Sequence, residues 1–522
     1  MDMFLLKLYL IYNTGWNDTN CNSNFKILDM SSKKNVLVFG VLLAIVLLSC
    51  QPNNKTEQKE NPLNVVLITL DDMGYGTTGV EGCTVPGITP YIDKLASEGI
   101  TFTRGFVMSP MCGPSRAAIL SGRYPHCSGM MGHGTMPPAL WEEPVVKSPS
   151  ISTYLHDNGY TTGAILKLRR SKYLNTWDTE YHEFPYGVGF HDRNPKSFYT
   201  RTKEFINSAK KSNKPFFLYA NPIDPHRPWD NTEQEKKMLE MWNPDKRYPE
   251  PSRKYKTDEI EVPEFLLDLP DIREALVPYY NALNRGDECV GSILQAIDDS
   301  NMRDNTLVIF LSDHGMGAPG AKNTLYHDGI RTPIIMRWPK KIQEGVMDEK
   351  SIVSVVDLVP TILDAAGLPS LQAIEGKSII DVILGKSAQT KREYAYASSN
   401  YRSSCTEEQF FPHRAIIDES FCYIFNSYVV RSEGKKKKGS GWMDVVNSSL
   451  PKSEKLKKKI EYMEFRAPEE LFDLKEDPGC WNNLSEHPDY AEKLKAYRKK
   501  LLDEMQETAD PELSVFNARL NQ

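Results

Sequence analysis

The chain has 522 residues, 40% of them hydrophobic and 25% charged, with a formal net charge of −6 at pH 7. That is ample for one large core and a second, smaller domain, and the mild acidity gives no global case for nucleic-acid binding. Nine cysteines are scattered without a framework spacing. This excludes a small disulfide scaffold and a zinc module, and leaves one or two disulfides open with no readable pairing.

Lys33 and Lys34 precede an apolar run, Val36 to Leu48. The run is too short to span a bilayer comfortably and fits a signal-peptide core. It ends Leu47-Leu48-Ser49-Cys50, which resembles a bacterial lipoprotein cleavage box, so Cys50 is expected to become the lipid-bearing first residue of the mature chain. Gln51 to Glu60 is polar and reads as a tether. Met30 stands where such a signal should begin, which makes residues 1–29 an unused leader outside the fold. The expected division is leader 1–29, signal 30–50, tether 51–61, large domain 62–385 and C-terminal α+β subdomain 386–522. The expected location is the bacterial cell envelope, with membrane contact through the N-terminal lipid alone.

Asn64 to Leu70 is a continuous apolar, β-branched run, the pattern of a central strand buried on both faces. It ends in Asp71-Asp72, followed by Gly74 and Gly76. Carboxylates at the C-terminal end of a parallel strand lie where open α/β sheets place their sites. Two adjacent ones cannot both stay ionised at low cost without a cation between them. Pro90–Gly99 reads as a short amphipathic helix and Thr101–Val107 as a strand. Ser148–Asn158 reads as helix, Thr161–Leu166 as strand with Lys167 at its end, Ser197–Lys210 as helix and Pro215–Ala220 as strand. Prolines stiffen the next loop, Asn221 to Pro228, and fix where His226 points. Residues 229–268 are polar and Pro-rich and are expected to wrap the surface.

Ile272–Asp299 is the longest helical pattern. A second fully apolar strand, Thr306–Leu311, ends in Ser312-Asp313-His314-Gly315. Thr332–Arg337 is a further strand and Val355–Ala366 a helix. Strands alternating with helices predict an α/β fold, a doubly wound, mostly parallel large sheet flanked by helices. After residue 385 the pattern changes to short strands at 393–397, 414–418, 421–425 and 469–473 and a charged helix over Tyr490–Gln506. That reads as a smaller antiparallel sheet with a helix on it. Lys435–Lys438 reads as a solvated loop.

The stretch Cys112-Gly113-Pro114-Ser115-Arg116-Ala117-Ala118-Ile119-Leu120-Ser121-Gly122-Arg123 carries the chemistry. Pro114 fits the first turn of a helix, Arg116 to Leu120 continue it, and Gly122 stops it. Cys112 therefore lies at or just before a helix N-terminus, where free N–H groups stabilise an anion or an activated sulfur. Arg116 and Arg123 add fork-shaped donors suited to a tetrahedral oxyanion. The acidic strand ends Asp71, Asp72 and Asp313, with His314 beside the last, are expected on one rim. Carboxylates suit a hard divalent cation, and the imidazole of His314 equally suits a softer metal.

The Cys112 stretch resembles the signature of the formylglycine-dependent sulfatases of the alkaline phosphatase superfamily: Cys-x-Pro-Ser-Arg, then Leu, a small residue, Gly and Arg. Every fixed position is present. The resemblance implies that a formylglycine-generating enzyme oxidises Cys112 to formylglycine, whose hydrate is the nucleophile. It implies one Ca²⁺ held by Asp71, Asp72, Asp313 and His314 together with the modified Cys112. Lys322, in Gly320-Ala321-Lys322-Asn323-Thr324, resembles the family's sulfate-contacting lysine. His226, in Asp224-Pro225-His226-Arg227-Pro228, resembles the histidine that assists the leaving oxygen, and Lys167 the lysine of a Gly-Lys-x-His element. Arg116, Lys167 and Lys322 are thereby expected on the sulfuryl oxygens. Pro263-Glu264-Phe265-Leu266, Tyr279-Tyr280-Asn281 and Glu469-Glu470-Leu471-Phe472-Asp473-Leu474 are similar to the heparan N-sulfatase-like branch. The implied substrate is a sulfated saccharide; the sugar, the ring position and the choice between O–S and N–S bonds stay open.

One position departs from the family. Arg169 stands two residues after Lys167, where the element normally ends in His. Arginine cannot act as a base near neutral pH. Another group takes the proton, or turnover is slow, or the site holds sulfate without cleaving it; alternatively Arg169 binds a further anionic group of the substrate. His133, His413 and Arg414 are read either as pocket-lining or as structural.

Overall fold

A computed structural model of the chain describes residues 62–132, 149–167, 175–181, 192–242, 248–401, 410–431 and 453–521. The N-terminal segments 1–29, 30–50 and 51–61, His133 and Arg169 lie outside the described residues. Residues Pro62–Gln522 form one compact unit. No helix among the described residues is long and apolar enough to cross a membrane.

The large sheet has eight strands: β1 (Asn64–Leu70), β2 (Ile100–Phe106), β3 (Thr161–Ile165), β4 (Thr179–Tyr181), β5 (Phe216–Ala220), β6 (Thr306–Ser312), β7 (Arg331–Arg337) and β8 (Val346–Ser354). Their order is β4-β3-β5-β1-β6-β7-β2-β8. β7 runs antiparallel to both of its neighbours, and every other pairing is parallel. This is the expected mostly parallel sheet.

The unbroken apolar run of β1 has a direct cause. Val65 and Leu67 point into one core with Ile119, Leu155 and Leu363, while Val66, Ile68 and Leu70 point into another with Ile92, Phe205 and Leu276. Alternate side chains thus enter layers of helices on opposite faces, so both faces favour apolar residues, and the two polar ones, Asn64 and Thr69, are buried as well. The helices Pro90–Ser97, Pro195–Lys211 and Pro270–Asp298 supply the second layer; Cys112–Ser121, Ile151–Asp157 and Leu358–Ala365 supply the first.

The smaller sheet is antiparallel, with β9 (Ala395–Tyr401), β10 (Phe410–Ile417), β11 (Phe421–Phe425) and β12 (Glu469–Asp473) in the order β12-β11-β10-β9. The helix Ala491–Glu507 buries Leu494, Tyr497, Leu501 and Met505, a stripe at helical spacing. Ala415, Tyr423 and Leu471 of this sheet belong to the same apolar core as Val65 and Leu67.

Several elements escaped the sequence reading. β8 carries Asp348-Glu349-Lys350 through its middle, which masks its pattern; β4 is a short edge strand. The stretch 229–268 contains a helix, Glu233–Trp242, and the C-terminal part adds helices Ser427–Arg431, Glu454–Glu464 and Leu513–Leu520.

Candidate active site

Register decides what meets at the carboxyl ends of the strands. Leu70 pairs with Ser312, so Asp71 and Asp313 leave adjacent strands side by side. Ala220 is level with Ile68 on one side and Ile165 on the other, so Asn221 and Leu166-Lys167 open onto the same rim. Asp313 N donates to Leu70 O at 3.1 Å, and Asp72 N donates to Asp313 Oδ1 at 3.3 Å. Ser312 Oγ accepts from Met73 N at 3.1 Å and donates to His314 O at 2.8 Å. Behind this turn Gly74 N donates to Tyr279 Oη at 2.9 Å. Asp72, Leu166 and Lys167 have φ of 65°, 59° and 51°. Left-handed backbone is unfavourable for such residues and concentrates at functional turns.

The helix Cys112–Ser121 begins at Cys112 itself, as expected for a residue at or just before the helix N-terminus, and stops at Gly122 with φ 68°. Met111, extended, caps it without a side-chain hydrogen bond, so the first N–H groups stay directed at the site. Cys112 and Arg116 are four residues apart and share one helix face. Ser115 Oγ donates to Asp313 O at 2.5 Å, which fixes the helix start on the end of β6. Asn323 N donates to Pro110 O at 2.9 Å and brings the Lys322 loop to the same point.

Arg116 is buried and spread over four partners. Its Nε donates to Asp313 Oδ2 at 2.8 Å, one terminal nitrogen to Asp71 Oδ2 at 3.2 Å, and the other to Tyr219 Oη at 3.1 Å and to Asn221 Oδ1. Asn221 Nδ2 in turn donates to the carbonyls of Ile165 and Leu166, each at 3.2 Å. Arg116 thus ties the ends of β1, β5 and β6 into one frame. Arg123 instead pairs with Glu375, 4.0 Å away.

Within that frame Asp71, Cys112, Asp313 and His314 each present a ligand atom, all within 4.8 Å of one another; Asp71, Asp72 and His226 form an overlapping group. Asp71 Oδ1 and His314 Nε2 are buried without a hydrogen-bond partner among the described residues. His314 Nδ1 is 2.9 Å from Gly315 O, which fixes the ring with Nε2 toward the carboxylates, 3.4 Å from Asp72 and 3.6 Å from Asp313. Gly317 has no room for a side chain, since a Cβ there would lie 2.7 Å from Asp72 Oδ2. Orphaned carboxylate and imidazole atoms converging on one point suit a divalent cation.

The electrostatics agree. Burial pushes the Asp72 carboxyl up to about 7 against the pull of Lys322 and His314. Burial and the neighbouring Asp71 raise Asp313. Burial works to raise Asp71 as well, but Lys167, His226 and Arg116 outweigh it and hold that carboxyl well below its ordinary range. Burial opposes charge on His314, yet Asp313 lifts it to about 9. Like charges packed this closely call for a cation.

Three further expected residues surround the cluster. Lys167 pairs with Asp71. Lys322 Nζ donates to Asp72 Oδ1 at 2.5 Å. His226 Nε2 lies 4.0 Å from Asp71 Oδ1, while its Nδ1 is 2.6 Å from Arg227 O. Burial, then Lys167 and Lys322, hold the His226 ring well below its usual value. The structure therefore brings together Asp71, Asp72, Cys112, Arg116, Lys167, His226, Asp313, His314 and Lys322. His413 and Arg414 take the structural alternative: His413 is buried against Phe411 O at 2.7 Å, and Arg414 binds Asp510 through Nε at 2.6 Å. Asn221 and Tyr219, which hold Arg116, were not singled out from sequence. The polar residue that ends the apolar run of β5 was the available signal.

Residues 63–368 match the family model "Sulfatase", and residues 320–433 match "N-sulphoglucosamine sulphohydrolase, C-terminal". The chain is 27% identical to an ulvan-active sulfatase of Formosa agariphila over 89% of this chain and 80% of that protein. It is 27% identical to the human N-sulphoglucosamine sulphohydrolase over 87% of this chain and 92% of that protein. Among solved structures it resembles BT4656 in complex with its substrate D-glucosamine-2-N,6-O-disulfate, with a TM-score of 0.63, 19% identity and coverage of 86% of this chain and 99% of that one. BT1596, a 2-O GAG sulfatase, gives the same TM-score at 18% identity, covering 87% of this chain and 94% of that one. With a match that runs through more than half of its residues, from the first central strand past the end of the large sheet, the chain belongs to the sulfatase family, the hydrolases of sulfuric esters.

Proposed function

We propose that this chain removes sulfate from a sulfated saccharide, using a formylglycine made from Cys112 and one Ca²⁺ beside it. The observation that carries the reading is the convergence of Cys112 with Asp71, Asp313 and His314 at the start of the helix Cys112–Ser121. Relatives named for ulvan and for N-sulphoglucosamine support the substrate class.

Asp71, Asp72, Asp313 and His314 would hold the cation, which when bound supplies positive charge to polarise the sulfuryl group and to acidify the attacking hydroxyl. Formylglycine at position 112, as its hydrate, would supply that hydroxyl as the nucleophile toward sulfur. Lys167 and Lys322 lean over the cluster and offset charge building on the sulfuryl oxygens. Arg116 acts mainly by keeping Asp71 and Asp313 in place, since most of its N–H groups are already engaged. His226, with Nδ1 tied to Arg227 O, exchanges its proton through Nε2 and protonates the leaving oxygen or nitrogen. Overall one water is consumed and the S–O or S–N bond is broken. Maturation requires a formylglycine-generating enzyme, and a lipid on Cys50 with the Gln51–Glu60 tether would hold the enzyme at the cell envelope.

One sequence observation favours a second reading, a glycan-binding protein without turnover: Arg169 replaces the family histidine. Sulfate release from sulfated oligosaccharides and from a generic aryl sulfate separates the two. Release that disappears in Cys112→Ala supports the enzyme. Saccharide binding with no release from either substrate selects the binding protein.

A further inference from the structure

The loop that carries His226 is held by a buried charge cluster that the chemistry above does not use. Asp224 accepts on both oxygens: Arg193 pairs with Oδ1, Arg285 Nε donates to Oδ2 at 2.6 Å, and Arg285 Nη2 reaches Oδ1 at 3.3 Å. The second terminal nitrogen of Arg193 donates to the main-chain oxygen of His226 at 3.0 Å. Arg193 and Arg285 are each 1% exposed. Arg285 also lies 3.6 Å from Asp230 and 3.6 Å from Glu235 and donates to Pro249 O at 3.1 Å.

The cluster joins separate elements. Arg193 sits just before the helix Pro195–Lys211, and Arg285 sits in the middle of the helix Pro270–Asp298. Next to Arg285, a Cβ on Gly286 would lie 3.0 Å from Asp224 O, so the loop rests on the helix backbone itself. Within the loop, His226 N donates to Ile223 O at 2.9 Å and Trp229 Nε1 to Pro225 O at 2.8 Å. Burying two guanidiniums and three carboxylates brings little net stability relative to apolar packing of the same volume. What such a set supplies here is direction: it ends on the carbonyl of the residue whose ring faces Asp71.

We propose that Arg193 and Arg285, acting through Asp224, are positioning residues that set where the His226 ring meets the leaving group. This rests on His226 acting as the acid in the function proposed above. A displacement of about 1 Å at a reacting group lowers rates on the order of 100-fold.

The test compares two substrates in the mature holoenzyme. D-glucosamine-2-N,6-O-disulfate carries poor leaving groups that need a proton, whereas 4-nitrophenyl sulfate carries a good one that does not. Arg193→Lys keeps a charge opposite Asp224 but loses the fork that spans Asp224 and His226 O. The expected result is a kcat on the sugar lower by roughly 100-fold, an unchanged KM, and wild-type turnover of 4-nitrophenyl sulfate. His226→Ala should lower turnover of the sugar at least as much, and more than it lowers turnover of 4-nitrophenyl sulfate. Equal losses on both substrates in Arg193→Lys, or wild-type rates on both, would overturn the proposal.

Should His226→Ala lower both substrates alike, the acid assignment fails on its own. Arg285→Lys and a crystal structure of Arg193→Lys then decide the positioning claim. A displaced His226 ring supports it, and a ring that stays in place overturns it.

Discussion

The Nε of Arg116 lies 2.8 Å from Asp313 Oδ2, deep under the helix Cys112–Ser121, and the same guanidinium reaches Asp71 at 3.2 Å. One arginine thus neutralises carboxylates from two separate central strands. Truncating it leaves both as buried charges with one fewer partner. Arg116→Ala is expected to cost roughly 3–5 kcal/mol in the calcium-free protein. Urea unfolding measures this, and Arg116→Lys should recover only part, because a single ammonium cannot replace the fork.

Calcium should stabilise the fold by linkage. A cation that binds only the folded cluster adds about 2.7 kcal/mol at 100 times its dissociation constant. The melting temperature should therefore rise with added Ca²⁺ and fall with chelator, and Asp313→Asn should abolish the response. Chelation should also remove sulfatase activity, with recovery on readdition.

Gly317→Ala tests the same cluster without touching a ligand. The added Cβ would meet Asp72 Oδ2 at 2.7 Å. Displacing Asp72 should weaken Ca²⁺ binding by about 10–100-fold, the usual cost of disturbing a ligand's support. Titration calorimetry reads this directly; unchanged affinity would show that Asp72 does not bind the ion.

Away from the site, Asp510 gives a pH prediction. Burial would raise its carboxyl, but Arg414 at 2.6 Å overrides this and holds it below the ordinary value. A depressed folded pKa means stability that is complete above the unfolded pKa and is lost as pH falls toward the folded one. Between about pH 4 and pH 2 this group alone should remove about 1.4 kcal/mol per pH unit. The stability gap between wild type and Asp510→Asn should be widest above pH 5 and narrow steadily below pH 4 in denaturant titrations. A gap constant from pH 2 to pH 6 would contradict it.

What the sequence could and could not reveal follows from the same physics. β1 and β6 were legible because both faces of each strand are buried, which favours apolar residues and leaves the apolar runs Val65–Ile68 and Leu307–Leu311. Asp71, Asp72, Asp313 and His314 were legible because they terminate those runs. The reversed direction of β7 was not, since apolar periodicity carries no sign of strand direction. β8 was hidden by Asp348-Glu349-Lys350, which an edge strand tolerates and a central one would not. Family likeness set Arg116 on the sulfuryl oxygens, whereas its contacts to Asp313, Asp71, Tyr219 and Asn221 depend on register between strands far apart in the chain. No local pattern reports such a meeting.

Everything turns on the side chain at position 112, which shares its hollow with Asp71, Asp313 and His314. Mass spectrometry of the peptide containing residue 112, from protein produced with a formylglycine-generating enzyme and shown to release sulfate, tests it most directly. An aldehyde is expected at that position, in proportion to activity. Full activity from protein whose Cys112 is entirely an unmodified thiol would contradict it.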